Sequence, residues 1–105
     1  MTLQTKIKKS EINSGEAKSF QIGDSKVVVC NVAGEYFAIN DVCSHDDGEL
    51  VSGNGKLIEV CQLECPRHGA RFDVKTGKAT RMPAVAPVKT YNVKVMNDEL
   101  DIEIT

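Results

Sequence analysis

Ser25-Lys26-Val27-Val28-Val29-Cys30-Asn31-Val32, then Ala33-Gly34, then Glu35-Tyr36-Phe37-Ala38-Ile39 is the stretch that decides the fold class. A β-branched apolar run meets a short turn and then a second aromatic and apolar run, which is the signature of a β-hairpin. Upstream, Ala17 to Ile22 reads as another strand, joined to the first through a turn at Gly23-Asp24. Downstream, Leu57 to Cys61 and Ala70 to Val74 read as strands, with Lys75-Thr76-Gly77-Lys78 as a turn. Val88 to Met96 and Leu100 to Ile104 form a closing pair across Asn97-Asp98, and alternation is cleanest in the second. Thr2 to Lys8 alternates more weakly and predicts an edge strand. No helical periodicity of useful length intervenes. About eight short strands at close spacing predict an all-β chain, a sandwich or a barrel.

With 105 residues, the chain has the size of one domain. Thirteen basic and fifteen acidic residues leave a net charge of -2, and the basic ones are scattered, which excludes the electrostatic footprint of a nucleic-acid binder. No apolar run approaches the ~20 residues that span a bilayer, so no membrane association is expected. Met1 to Glu11 is polar and lacks the apolar segment of a signal peptide. Four cysteines without marks of secretion favour metal ligation over a disulfide framework, and a cytoplasmic location is expected.

The strand pattern breaks in the middle. Asp41 to Glu49 and Cys65 to Gly69 are loop-like, separated by one small β element with Gly53-Asn54-Gly55 at its turn. Both histidines of the chain lie in these loops, each just after a cysteine: Cys43-Ser44-His45 and Cys65-Pro66-Arg67-His68. Thiolate with imidazole suits zinc, copper or iron–sulfur chemistry and disfavours magnesium or calcium. Structural zinc sites usually pair like ligands within a loop, C-x2-4-C with H-x3-5-H. Here each loop carries one of each, which fits a binuclear cluster with both thiolates on one iron and both histidines on the other. A mononuclear zinc site is the alternative at this point.

With these two boxes the sequence resembles the Rieske-type [2Fe–2S] proteins. The second box extends as Cys65-Pro66-Arg67-His68-Gly69-Ala70-Arg71-Phe72-Asp73, and the likeness runs through Gly77-Lys78 to Met82-Pro83-Ala84 and the terminal strands. The resemblance implies a Rieske-type antiparallel β-sandwich in a single domain, 1–105, with a small inserted cluster-binding subdomain at about 41–82. It implies one [2Fe–2S] cluster held by Cys43, His45, Cys65 and His68. Respiratory and photosynthetic members carry an extra cysteine in each box, joined as a disulfide, where this chain has Gly48 or a near neighbour and Arg67. Those members also place serine and tyrosine hydroxyls beside the cluster, where this chain has Ala70 and Phe72. Missing hydroxyl donors leave the more negative, reduced centre less stabilised, so the potential is expected near the lower end of the Rieske range of about -150 to +300 mV. That pattern resembles the soluble ferredoxins of bacterial aromatic-ring dioxygenase systems.

The chain has no spare histidine, no nucleophile–base pair, no glycine-rich phosphate loop and no second iron site, so it is not expected to be an enzyme. The resemblance implies a one-electron carrier, expected to be a monomer, between a flavin-dependent ferredoxin reductase and a terminal oxygenase. Transient docking is expected near His45 and His68, through a small interface that permits quick release. The alternative is a Rieske-like small subunit of an assimilatory nitrite reductase or another oxidoreductase complex. Cys30, inside its apolar run, is expected to be a buried free thiol, and Cys61 to pack in the core. Gly69 serves either close backbone approach to the cluster or a turn. Pro83 and Pro87 are candidates to shield the cluster, and Asp46, Asp47, Glu49 and Arg67 are candidates for partner recognition.

Overall fold

Six consecutive residues, Val27 to Val32, are buried, so the third strand of the chain shows no alternation of inside and outside. A strand reads this way when both of its faces are covered. The computed structural model describes residues 3–41, 51, 54–58, 61–65, 69–82 and 86–104. The described strands are β1 (Leu3–Lys8), β2 (Glu16–Ile22), β3 (Ser25–Val32), β4 (Glu35–Asn40), β5 (Asn54–Lys56), β6 (Gln62–Glu64), β7 (Arg71–Asp73), β8 (Ala79–Arg81), β9 (Thr90–Met96) and β10 (Glu99–Ile104). Seven of them form one sheet in the order β1-β10-β9-β4-β3-β2-β5, and a small sheet runs β6-β7-β8. Every pairing is antiparallel.

The register sorts the side chains of β3 between two cores. Val29 faces Ala38 and Val27 faces Phe20, and these join Ile7, Leu100 and Ile102 inside the curl of the large sheet. Val28 faces Ile39, and Cys30 lies between Ala17 and Phe37. These enter a second core with Leu63, Cys65, Phe72 and Val74, beneath the small sheet. Each fully buried valine contributes roughly 1.5–3 kcal/mol relative to an exposed one, so β3 stabilises both layers at once.

The expected hairpin forms as β3–β4. Ala33 (φ 51°) and Gly34 (φ 94°) are both left-handed, the geometry of the two-residue turns that suit a twisted hairpin. Buried Asn31 braces it: its Oδ1 accepts from the Gly34 N–H at 2.8 Å and its Nδ2 donates to the Ile12 carbonyl at 3.0 Å. The expected edge strand is β1, at one end of the large sheet. The turn at 75–78 also forms. Gly77 (φ +78°) donates to the Asp73 carbonyl at 2.7 Å and its own carbonyl accepts from Val88 at 2.8 Å. A Cβ there would run into the Val88 carbonyl.

Two expectations need correction. Of the strand expected over Leu57 to Cys61, the described residues Leu57, Ile58 and Cys61 lie outside any named strand, and Ile58 and Gln62 exchange backbone hydrogen bonds at 2.8 and 3.0 Å as an isolated bridge. Ile58 is thus paired with a residue only four further on, and the strand, β6, begins at Gln62. Asn54 and Gly55, expected in a turn, belong to β5 and pair with Lys18 and Ala17 of β2. A Cβ at Gly55 would lie 3.3 Å from the Val51 side chain, so the glycine admits close packing. Strand β8 has no counterpart in the expected set; its sequence, Ala-Thr-Arg, is too short to show a period.

Candidate metal centre

The second cysteine–histidine box grows out of the β6–β7 hairpin. Leu63 and Phe72 are cross-strand partners, both buried, and seat the hairpin on the lower core. Glu64 and Arg71 pair beside them, with Arg71 Nε 3.0 Å from Glu64 Oε2 and Arg81 3.9 Å from the same oxygen. Cys65 follows β6 directly and has no solvent exposure. Its N–H donates to the Ala70 carbonyl at 2.7 Å, and its carbonyl accepts from the Gly69 N–H at 3.0 Å. Gly69 stands at φ +74°, a region that favours glycine, so its turn role is explicit. Two main-chain bonds and one left-handed glycine thus bring Cys65 and Ala70 back beside one another, with the Cys65 thiol buried at this junction.

The surroundings of this thiol are apolar. Cys65 is a free thiol that shares one buried core with Leu63, Ala70 and Phe72. Ala70 and Phe72, each wholly buried, are the two positions at which hydroxyl donors were expected to be missing. The donor set expected from sequence, two thiolates and two imidazoles, is of a chemistry that fits a Rieske-type cluster, and of these four residues Cys65 is among the described ones. Cys43, His45 and His68 lie outside the described residues, as do Asp46, Asp47, Gly48, Glu49, Arg67 and Pro83. Among the described residues no group of three or more His, Cys, Asp or Glu could hold a metal ion.

The other two described cysteines share the lower core with Cys65. Cys30 is fully buried in the apolar core, and burial pushes its thiol up to about 12, so it stays protonated and apolar in character. Cys61 is half-buried against the same core, and its carbonyl accepts from the Val74 N–H at 2.9 Å. Pro87 is exposed.

One residue escaped the sequence reading. Asp41, at the end of β4 and two residues before Cys43, is only 3% exposed and fully engaged by its carboxylate. Its signal was a carboxylate directly abutting a buried apolar strand, where an unpartnered one would be costly. A groove of about 600 Å³ lies elsewhere, between Lys8–Ser10 and the β9–β10 turn. Among the described residues no helix is long and apolar enough to cross a membrane.

A family model described as the Rieske [2Fe-2S] domain matches residues 2–92. The ferredoxin component of biphenyl 2,3-dioxygenase from Rhodococcus jostii (strain RHA1) is 41% identical over 94 residues, covering 90% of this chain and 85% of that protein. The ferredoxin of carbazole 1,9a-dioxygenase from Nocardioides aromaticivorans IC177 superposes with a TM-score of 0.83 at 32% identity, covering 91% of each chain. A chain from a complex of reduced oxygenase and oxidized ferredoxin in carbazole 1,9a-dioxygenase superposes at 0.81 with 26% identity, covering 94% of this chain and 91% of that one. A putative NADH-dependent nitrite reductase small subunit from Mycobacterium tuberculosis reaches 0.82 at 14% identity, covering 100% of this chain and 97% of that one, a likeness of fold alone.

Proposed function

The chain belongs to the Rieske [2Fe–2S] family, and from that premise we propose that it is the ferredoxin component of an aromatic-ring dioxygenase system, an electron carrier and not a catalytic enzyme. It carries a single Rieske-type [2Fe–2S] cluster, which when bound supplies one-electron redox chemistry. The observation that carries the role is the 41% identity to a dioxygenase ferredoxin across 85% of that protein's length. The whole chain, 1–105, is one domain, with its cluster-binding part at about 41–82.

Cys43 and Cys65 hold one iron and His45 and His68 the other. Cys65 serves from a backbone held by main-chain bonds to Gly69 and Ala70. Buried Ala70 and Phe72 offer no hydroxyl to the cluster sulfurs, which favours a potential near the low end of the Rieske range. The terminal oxygenase of the system is the electron acceptor, in keeping with the oxygenase–ferredoxin complex among the structural relatives. A flavin-dependent reductase is the donor. Both dock transiently near His45 and His68, and the protein acts as a monomer in the cytoplasm.

Iron and acid-labile sulfide analysis, with low-temperature electron paramagnetic resonance after dithionite reduction, tests the assignment. Cys43→Ser, His45→Ala and His68→Ala each abolish the Rieske signal. Stoichiometric zinc without sulfide, or a Rieske signal that survives His45→Ala, ends it.

A further inference from the structure

The two boxes are tied down differently. The Cys65 tip closes on its own main chain. The segment bearing Cys43 and His45 runs between Asp41 and Val51, and the contact between these two residues is made by a side chain. Asp41 Oδ1 accepts from the Val51 N–H at 2.8 Å, and Oδ2 accepts from the Ser19 hydroxyl at 2.7 Å. The Asp41 N–H donates to the Lys26 carbonyl at 2.8 Å. One buried residue therefore gathers β2 through Ser19, β3 through Lys26, and the far end of the ligand-bearing segment through Val51. Val51 is held a second time, by packing against the core that contains Val28, Ile39 and Cys65.

A strand end alone does not require this residue. Aspartate is disfavoured in strands, and a buried carboxylate is tolerated only when its oxygens are matched by donors. Both oxygens are matched here, and one bond spans the ten-residue separation from Asp41 to Val51. We propose that Asp41 is a positioning residue for the [2Fe–2S] centre, its Oδ1 holding the two ends of the Cys43/His45 segment together through the Val51 N–H, with Ser19 bonded only to the other oxygen. The proposal rests on the assignment of Cys43 and His45 as ligands. Groups that orient metal ligands from behind typically change metal affinity by about 10- to 100-fold when removed.

The test uses the full-length, cluster-loaded protein and its Asp41→Ala, Asp41→Asn and Ser19→Ala variants. Cluster bleaching under a chelator is timed, the line widths of the reduced resonance spectrum are recorded, and thermal unfolding is followed by circular dichroism. Asp41→Ala bleaches about 10- to 100-fold faster, with broadened lines. Asp41→Asn keeps an acceptor oxygen for the Val51 N–H and stays close to the parent. Ser19→Ala loses a buried hydrogen bond and some thermal stability but bleaches near the parent rate. A purely structural role predicts instead that bleaching follows the unfolding temperature in all three, and that pattern overturns the clasp, as does Asp41→Asn bleaching as fast as Asp41→Ala. Should Asp41→Ala fail to fold, Asp41→Glu decides. It keeps a carboxylate but displaces it by a methylene, and a parent-like bleaching rate there removes the proposal. Cys43→Ser, run alongside, separates the two ideas. A Rieske signal that survives it removes the ligand assignment, whereas a lost signal with Asp41→Ala behaving like Ser19→Ala removes only the clasp.

Discussion

Val27 and Val29 leave β3 on one side, Val28 and Cys30 on the other, and the two cores they enter are built differently. The first lies inside the large sheet, between strands of six to eight residues in continuous register, and its buried members are all aliphatic. The second is roofed by three-residue strands whose register slips at Arg71/Phe72, and it holds the two thiols that are fully buried among the described residues, Cys30 and Cys65. Short strands make few ladder bonds, so the second layer depends more on single large side chains and on tight turns. Under the proposed ligand assignment, a metal centre held by Cys65 adds its binding free energy to folding where the sheet contributes least. On that proposal the long-stranded layer is the foundation and the short-stranded layer presents the chemistry.

Phe72→Ala should do most to break that division. Removing a wholly buried phenyl group from the hairpin behind Cys65 should cost about 3–5 kcal/mol, with faster chelator bleaching of the cluster. Urea unfolding and bleaching kinetics on one sample read both effects. Leu100→Ala, in the other core, should cost a comparable or smaller amount, about 2–5 kcal/mol, yet leave the paramagnetic spectrum of the folded protein unchanged. Equal spectral damage from both variants would mean that the two cores act as one.

A smaller effect concerns Cys30, which belongs to the second core and is not among the proposed ligands. Its thiol is pushed from 9.0 to about 12 by burial, so above about pH 9 the unfolded chain releases a proton that the native chain keeps. Stability from Cys30 is complete below that pH and declines as pH rises toward 12. Cys30→Ala should therefore lessen the alkaline fall in urea stability between about pH 9 and 11, with the cluster spectrum unchanged. Loss of the cluster in this variant would overturn the separation of Cys30 from the ligands. The smallest effect is expected from Glu64→Gln, which weakens a partly exposed ion pair to Arg71 and should change stability by no more than about 1 kcal/mol. A larger change in the urea midpoint would show the hairpin surface to be under more strain than its exposure implies.

The sequence was legible where elements were long. Ser25–Val32 and Glu35–Asn40 stood out because β-branched and aromatic residues surround a two-residue turn, and Glu99–Ile104 because one of its faces is solvated and alternation survives. It was misleading at Leu57 to Cys61, where an apolar run bends at Ile58 and Gln62, and at Asn54-Gly55, where turn residues pair with β2. Strands of three residues are shorter than any period that could announce them, and pairing partners far along the chain create them.

The residues alone determined the class of fold and the class of cofactor. Propensity is local, and the soft and borderline donors of two Cys–His boxes are a chemical fact before any folding occurs. Tertiary structure decided which face of β3 serves which core, because a strand buried on both sides carries no alternation to divide its residues. It also decided the part played by Asp41. Its bonds reach back to Ser19 and forward to Val51, and only the folded sheet brings those donors to one carboxylate.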